Sequence, residues 1–154
     1  LRELDAFLAP AKILLGHNLL GHDLPALKIM QPDLALLRKP VLDTLYLSPL
    51  AFPENPYHRL VKDYKLVRDA VNDPVADARL AAELFSDQHE VFTRLRRLQP
   101  QLPALYHYCF SGETQFRGLA DYLLGSTPAA ASLEQACASV AALLRDHVCR
   151  TALA

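Results

Sequence analysis

Residues 12–23 read KILLGHNLLGHD, and this stretch decides how the first part of the chain folds. Residues 12–16 are mostly apolar, are too few for a helix and end at a glycine, so they predict a buried strand. Residues 17–22 hold three polar side chains and a glycine, which predicts a loop. Loops that follow the strands of an open α/β sheet are where ligands bind, so this loop is a candidate site.

A short helix is expected on either side of this strand and loop. Asp23 is a favourable N-cap residue and a proline in the first turn is tolerated, which predicts a helix over 24–30. The apolar spacing of residues 3–9 predicts a helix that ends at Pro10. The strand is therefore expected between two short helices.

Further elements are predicted in the first two thirds of the chain. β-Branched and aromatic residues indicate a second strand over 40–46. Three prolines within 48–56 predict an irregular loop, and 57–66 has the spacing of a short helix. Asp73 as N-cap, with a proline after it, begins a long helix over 74–98.

The remainder of the chain is predicted to be helical. Three helices are expected there, over 103–110, over 113–124 and after the capping box of Ser132 and Gln135. We therefore divide the chain into an α/β part, 1–98, and a helical extension or linker to a following domain, 99–154. Two strands do not make a stable sheet alone. Either residues outside this chain complete the sheet, or the domain is mostly helical with a strand pair on one edge.

Composition and charge exclude several classes of protein. The 154 residues are 51% hydrophobic and 21% charged, which indicates a globular chain with a sizeable core. A formal charge of −1 excludes a strongly basic nucleic-acid binder but not one with a local basic patch. No apolar run reaches the roughly 18–20 residues that span a membrane, and the three cysteines show no CxxC spacing, so we expect no membrane partner, reduced thiols and a cytoplasmic location. The chain starts at Leu1 rather than Met, which is typical of a segment of a longer protein.

Two carboxylates are candidates for a shared site. Asp23 lies near the end of the first predicted strand. Asp77 lies in the first turn of the long helix, next to apolar positions. One interpretation of Asp77 is a carboxylate that stabilises the helix dipole, and the other is a metal ligand facing a site shared with Asp23.

Four segments, in the same order, resemble motifs of the DnaQ-like (DEDD) 3′→5′ exonucleases. Residues 17–23, HNLLGHD, are similar to the second motif, in which an HN dipeptide precedes a metal-binding Asp. Residues 41–45, VLDTL, resemble the strand that follows, and 57–66 resemble the helix before the third motif. Residues 72–78, NDPVADA, keep the spacing of the third motif, His-x-x-x-x-Asp-Ala. More narrowly, 47–66 look like the exonuclease-type region at the front of some bacterial RecQ-family DNA helicases.

The resemblance implies a fold and an activity. The fold is α/β, a partial RNase H-like fold that lacks its first strands and is followed by a helical extension. The activity is that of a 3′→5′ exonuclease module in a larger DNA helicase-like protein. Its substrate is single-stranded DNA or another nucleic acid, and its partners are the remaining domains of the parent protein. Asp23 and Asp77 would be two of four ligands for Mg²⁺ or Mn²⁺, and position 72 would be that of the catalytic base.

The chain departs from the family pattern at two places. Asn72 stands where the family has histidine, and an amide cannot accept a proton at neutral pH. The first motif, Asp-x-Glu on the opening strand, is absent, since Glu3 and Asp5 have the reverse order within a helical pattern. We therefore expect hydrolysis only if an upstream Asp-x-Glu completes the metal cluster, and an inactive chain alone. The alternatives are a non-catalytic member that positions nucleic acid or docks other domains, and a helical scaffold without a site.

The candidate substrate-binding residues are His17, Asn18, His58 and Lys62. His58 and Lys62 belong to a basic, aromatic-flanked segment that is either a solvated helix face or a phosphate-contacting surface. His17 is interpreted as orienting the loop through a local hydrogen bond, and Asn18 as fixing its backbone. A zinc site of His17, His22 and Asp23 is the less favoured alternative, because their spacing suits no single helix face.

Overall fold

The computed structural model describes residues 1–56, 58, 73–125 and 132–144. The helices are α1 (Arg2–Leu8), α2 (Leu24–Met30), α3 (Thr44–Ala51), α4 (Pro74–Leu98), α5 (Gln101–Ser111), α6 (Arg117–Leu124) and α7 (Leu133–Leu144), and the strands are β1 (Leu14–Gly16) and β2 (Val41–Asp43). Over these ranges the chain is mixed α/β and mostly helical, which confirms the α/β class of the predicted fold. None of the helices seen there is both long and apolar enough to cross a membrane.

The chain divides into two compact units, Leu1–Val91 and Phe92–Ala154. The division falls inside α4. The boundary predicted after residue 98 lies at the end of that same helix. The first unit holds both strands and the candidate site, and the second holds α5, α6 and α7.

In the described part of the chain the sheet consists of β1 and β2, which run parallel. Leu14 lies opposite Val41, and Gly16 lies opposite Asp43. Because the strands are parallel and in register, both end at the same edge of the sheet. The segments that leave the two strands, one after Gly16 and one after Asp43, therefore start side by side.

The prediction that the first strand is buried is wrong. Leu15 in β1 is 39% exposed, whereas all three residues of β2 are buried. An apolar run does not distinguish a strand covered on both faces from one covered on a single face. Among the described residues of the first unit, the buried apolar side chains come instead from the segment before β2, from β2 itself, from α3 and from α4: Leu34, Leu36, Val41, Leu42, Leu47, Ala51 and Ala81.

The second unit is built around the packing of α5 against α6. Where the structure describes this unit, its most buried apolar side chains are Phe92, Leu119 and Leu123. The ring of Phe92 meets the ring of Tyr122 edge to face, with centroids 5.8 Å apart. Arg96 donates a hydrogen bond to the Tyr122 carbonyl at 2.7 Å and lies over the same ring, so α4 is joined to α6 within this unit.

Helix boundaries that depend on local capping are confirmed. The helix predicted over 74–98 has those bounds, and Asp73 accepts hydrogen bonds from the amides of Val75 and Ala76 at 3.0 and 3.2 Å. The capping box of Ser132 and Gln135 is present in both directions. Within α7, Leu133 and Cys137 are exposed.

The prediction for residues 44–51 is also wrong. The second strand was expected to reach residue 46, and the prolines beyond it were expected to enforce a loop. Instead β2 stops at Asp43, whose carboxylate accepts a hydrogen bond from the Leu45 amide at 3.0 Å and caps α3. Pro49 lies inside α3, where its missing N–H removes one helical hydrogen bond without ending the helix.

Candidate functional site

The carboxylate of Asp43 organises the candidate site. It lies at the end of β2, is fully buried, and accepts three backbone hydrogen bonds. Its Oδ1 accepts from the amides of Asn18, at 2.8 Å, and Leu45, at 3.0 Å, and its Oδ2 accepts from the amide of Leu20 at 2.9 Å. A buried carboxylate is stable only when such donors surround it. Asp43 therefore holds the segment after β1 against the end of β2.

The backbone of this segment needs the residues it has. Asn18 has a φ of 63° and a ψ of 26°, a left-handed conformation that asparagine tolerates better than most residues. A Cβ on Gly21 would lie 2.5 Å from the Asn18 side-chain oxygen, and a Cβ on Gly16 would lie 2.7 Å from Cγ of Leu19. The two glycines thus permit a close turn over the strand end.

The predicted loop is partly helical. Leu19–Asp23 form a π-helical turn that leads directly into α2. Single π turns are uncommon and are often found at functional sites. The turn forms because Asp43 holds the Leu20 amide from outside the segment, an influence that the local sequence does not reveal.

His17 is bonded to the residue that follows Asp43. Its Nδ1 lies 2.9 Å from the Thr44 hydroxyl, and that hydroxyl donates to the Gly16 carbonyl at 3.2 Å. The Thr44 hydroxyl has one proton and gives it to the Gly16 carbonyl. His17 must therefore carry a proton on Nδ1 and donate it to the Thr44 oxygen. Burial lowers the pKa of His17, and the negative charge of Asp43 only partly opposes this effect. The neutral ring therefore orients the segment, but through a partner 27 residues along the chain and not through the local hydrogen bond that the sequence interpretation proposed.

Asp23 does not cap α2, contrary to the prediction. Its backbone is already helical, with φ −71° and ψ −46°, and its side chain makes no capping hydrogen bond. The amide of Leu24 is satisfied by the Leu19 carbonyl of the π turn, so α2 continues that turn instead of starting at a side-chain cap. The carboxylate of Asp23 is about half exposed and lies 3.6 Å from His22 Nδ1. It is accordingly available to a ligand.

Asp77 lies in the first turn of α4, where its amide donates to the Asp73 carbonyl at 3.0 Å. The residue is partly buried, and its Oδ1 is shielded from solvent. A position in the first turn also stabilises the helix dipole, so the two interpretations made from the sequence both remain compatible with this place.

The described residues do not make up a complete metal centre. Carboxylates such as those of Asp23 and Asp77 are the ligands that Mg²⁺ and Mn²⁺ prefer. However, across the described ranges no three His, Cys, Asp or Glu side chains are grouped so that they could hold a metal ion. The same finding gives no support to a zinc site of His17, His22 and Asp23. Any metal at this edge needs further ligands.

Other predicted site residues are less informative. Asn72 and Lys62 lie outside the described residues, so the structure places neither. His58 is described and is partly buried. The predicted substrate contacts of His17 and Asn18 remain predictions, although both residues lie in the segment that Asp43 holds.

Sequence reasoning missed the residues that hold this site together. Asp43 and Thr44 were noticed only as part of a strand, although a polar pair at the end of an apolar strand is a detectable signal. Gln88 was missed altogether. It is fully buried on α4, and its amide group donates to the Thr44 carbonyl at 2.9 Å and to the Ser48 hydroxyl at 2.8 Å.

A scan against protein-family models finds no match to this chain, and neither the curated proteins nor the solved structures include a significant match. The site combines an exposed carboxylate at Asp23, a tightly held backbone turn and the carboxyl ends of two parallel strands. Such an arrangement suits the binding of a polar ligand at the sheet edge.

Proposed function

We propose that this chain is part of a DnaQ-like, RNase H-like 3′→5′ exonuclease module of a larger DNA helicase-like protein. The observation that carries the proposal is the turn that Asp43 holds at the shared end of β1 and β2. The HN dipeptide comes directly before this turn, and the turn ends at Asp23, whose carboxylate is exposed. The proposal places the protein in the cytoplasm, with single-stranded nucleic acid and the other domains of the parent protein as partners.

The proposal gives each residue a limited role. Asp23 and Asp77 supply oxygen ligands, while His17 and Asn18 shape the surface that meets the strand. Mg²⁺ or Mn²⁺ would supply the activation of water and the stabilisation of the leaving oxygen. Because the described donors are incomplete, hydrolysis is assigned only to a protein in which an upstream Asp-x-Glu adds the missing carboxylates.

The test is degradation of a single-stranded oligonucleotide by the parent protein extended upstream of Leu1. The label is placed at the 5′ end so that shortening from the 3′ end is seen as a ladder, and Mn²⁺ or Mg²⁺ is added. We expect the extended protein to produce the ladder and its Asp23→Asn/Asp77→Asn variant to produce none. Asp33→Asn, at an exposed ion pair with Arg2, is the matched control and should keep the activity.

A non-catalytic module is the second candidate, and two observations favour it. Asn72 cannot act as a base, and the described residues hold no three-donor metal group. If the extended protein binds the oligonucleotide but leaves it intact, the module positions nucleic acid. If it neither binds nor degrades the strand, the proposal of a nucleic-acid function fails.

A further inference from the structure

Gln88 is a buried polar residue that joins two elements of the first unit. Its side chain is fully buried on α4, and its Nε2 donates to the Thr44 carbonyl and to the Ser48 hydroxyl of α3. The amide orientation is determined by the Thr44 carbonyl, which can only accept. Its Oε1 is buried and has no hydrogen-bond partner among the described residues, which costs free energy that packing alone would not require.

The same face of α4 carries Asp77. Asp77 and Gln88 are eleven residues apart, which at 3.6 residues per turn is close to three full turns and about 16 Å along the axis. Ala81, four residues after Asp77 and seven before Gln88, is also buried. The rotation and the axial position of α4 about this face therefore determine where the Asp77 carboxylate points.

The acceptor of the Gln88 hydrogen bond belongs to the site itself. Thr44 follows Asp43 directly, and its hydroxyl bonds both His17 and the Gly16 carbonyl. Gln88 on α4 is thus hydrogen-bonded to Thr44, and the neighbouring residue Asp43 is hydrogen-bonded to the segment that ends at Asp23. All these residues lie within the first unit.

We infer that Gln88 is a positioning residue. It fixes the rotation and axial position of α4, and with them the place of Asp77, relative to the turn that carries Asp23. This inference deepens the proposed function and rests on it for its catalytic consequence. The claim that Gln88 fixes the position of α4 does not depend on the proposed function. Without the two hydrogen bonds, apolar packing still covers α4 but no longer selects one rotation and one axial position.

The test is the distance between spin labels on α2 and α4. Labels are placed at Lys28→Cys and Arg79→Cys, both exposed positions, in the full chain with its native cysteines at 109, 137 and 149 changed to serine. Gln88→Met keeps the side-chain volume. We expect it to shift or broaden the distribution of distances between the two labels by at least about 1 Å. The exposed Gln99→Met is the matched control and should give the wild-type distribution.

An unchanged distribution in Gln88→Met overturns the inference. If Gln88→Met does not unfold cooperatively, Ser48→Ala replaces it, because that variant removes one acceptor and keeps the Thr44 bond. Ser48→Ala must then broaden the distribution, and a wild-type distribution in it overturns the inference as well.

Activity separates this inference from the proposed function. In the extended protein we expect Gln88→Met to lower kcat by about 10- to 100-fold with little change in KM, because misplaced groups weaken the chemical step more than binding. A loss of thermal stability with unchanged kcat in the remaining folded protein assigns Gln88 a structural role only and overturns the inference. An extended wild type without any activity contradicts the proposed function, while the label distances still decide the role of Gln88.

Discussion

The Asp43 carboxylate and the Asn18 backbone amide lie 2.8 Å apart, although 25 residues separate them in the chain. This hydrogen bond, with the one from Leu20, fastens the turn after β1 to the end of β2. The same carboxylate caps α3 through Leu45. One buried side chain therefore ends a strand, starts a helix and shapes the candidate site.

Replacing Asp43 by asparagine should destabilise the first unit. An asparagine oxygen can keep the bonds from Asn18 and Leu45, but its amino group would face the Leu20 amide, so two donors would meet in a buried place. We expect a loss of about 2–3 kcal/mol in the free energy of unfolding, measured by chemical denaturation. The exposed Asp33→Asn should change it little. Equal stability of the two variants would show that Asp43 does not hold the turn.

Gly16 and Gly112 should respond differently to the same substitution. A Cβ at Gly16 would lie 2.7 Å from Leu19 Cγ, whereas a Cβ at Gly112 meets no atom within 4 Å. We expect Gly16→Ala to cost about 1–3 kcal/mol and Gly112→Ala, with a helical φ of −71°, to be neutral or slightly stabilising. Thermal unfolding monitored by circular dichroism measures both. A neutral Gly16→Ala would mean that the turn is not close-packed.

Acid should destabilise the fold through His17. Burial lowers the pKa of His17 below its ordinary 6.5, so between the lowered value and 6.5 the unfolded chain binds more protons than the folded one. Stability contributed by the neutral ring is therefore lost as the pH falls through 6.5. We expect the free energy of unfolding of His17→Gln to fall less than that of wild type between about pH 7.5 and about pH 5.5, with His22→Gln as the matched control. Identical slopes in wild type and His17→Gln contradict this account.

Two aspartates at helix starts should have different effects on stability. Asp73 caps α4 through two amides, whereas Asp23 makes no capping bond. We expect Asp73→Ala to lower the free energy of unfolding by about 1 kcal/mol and Asp23→Ala to leave it within about 0.5 kcal/mol. Denaturant titration of the two variants provides the comparison, and a large loss in Asp23→Ala would assign that carboxylate a structural role.

The sequence predicts the elements whose ends are encoded locally. The start of α4 follows from Asp73 and the proline after it, and α7 starts at its capping box, because these signals lie within four residues of the boundary they determine. The two-strand register was not predicted, and the extent of β2 was overestimated. A hydrogen bond between residues 25 positions apart leaves no periodic trace in either segment.

The candidate site was predicted in part for the same reason. The polar turn after β1 was expected to be a site, and the structure gives it a held backbone and an exposed Asp23. The N-cap role of Asp23 was wrong because the π turn, held by Asp43, already satisfies the first amide of α2. Gln88 was not expected because a single polar residue in a long amphipathic helix does not show which neighbour it bonds.

The most direct test of the account is the binding of a fluorescent single-stranded oligonucleotide to the full chain, followed by anisotropy. Asn18→Gly keeps the left-handed backbone and removes only the side chain, so the turn should persist. The account predicts saturable binding by wild type and an affinity about five-fold weaker in Asn18→Gly, with Asn55→Gly as a control that binds like wild type. Absence of saturable binding by wild type, or equal affinity in Asn18→Gly, would contradict the claim that this turn meets nucleic acid.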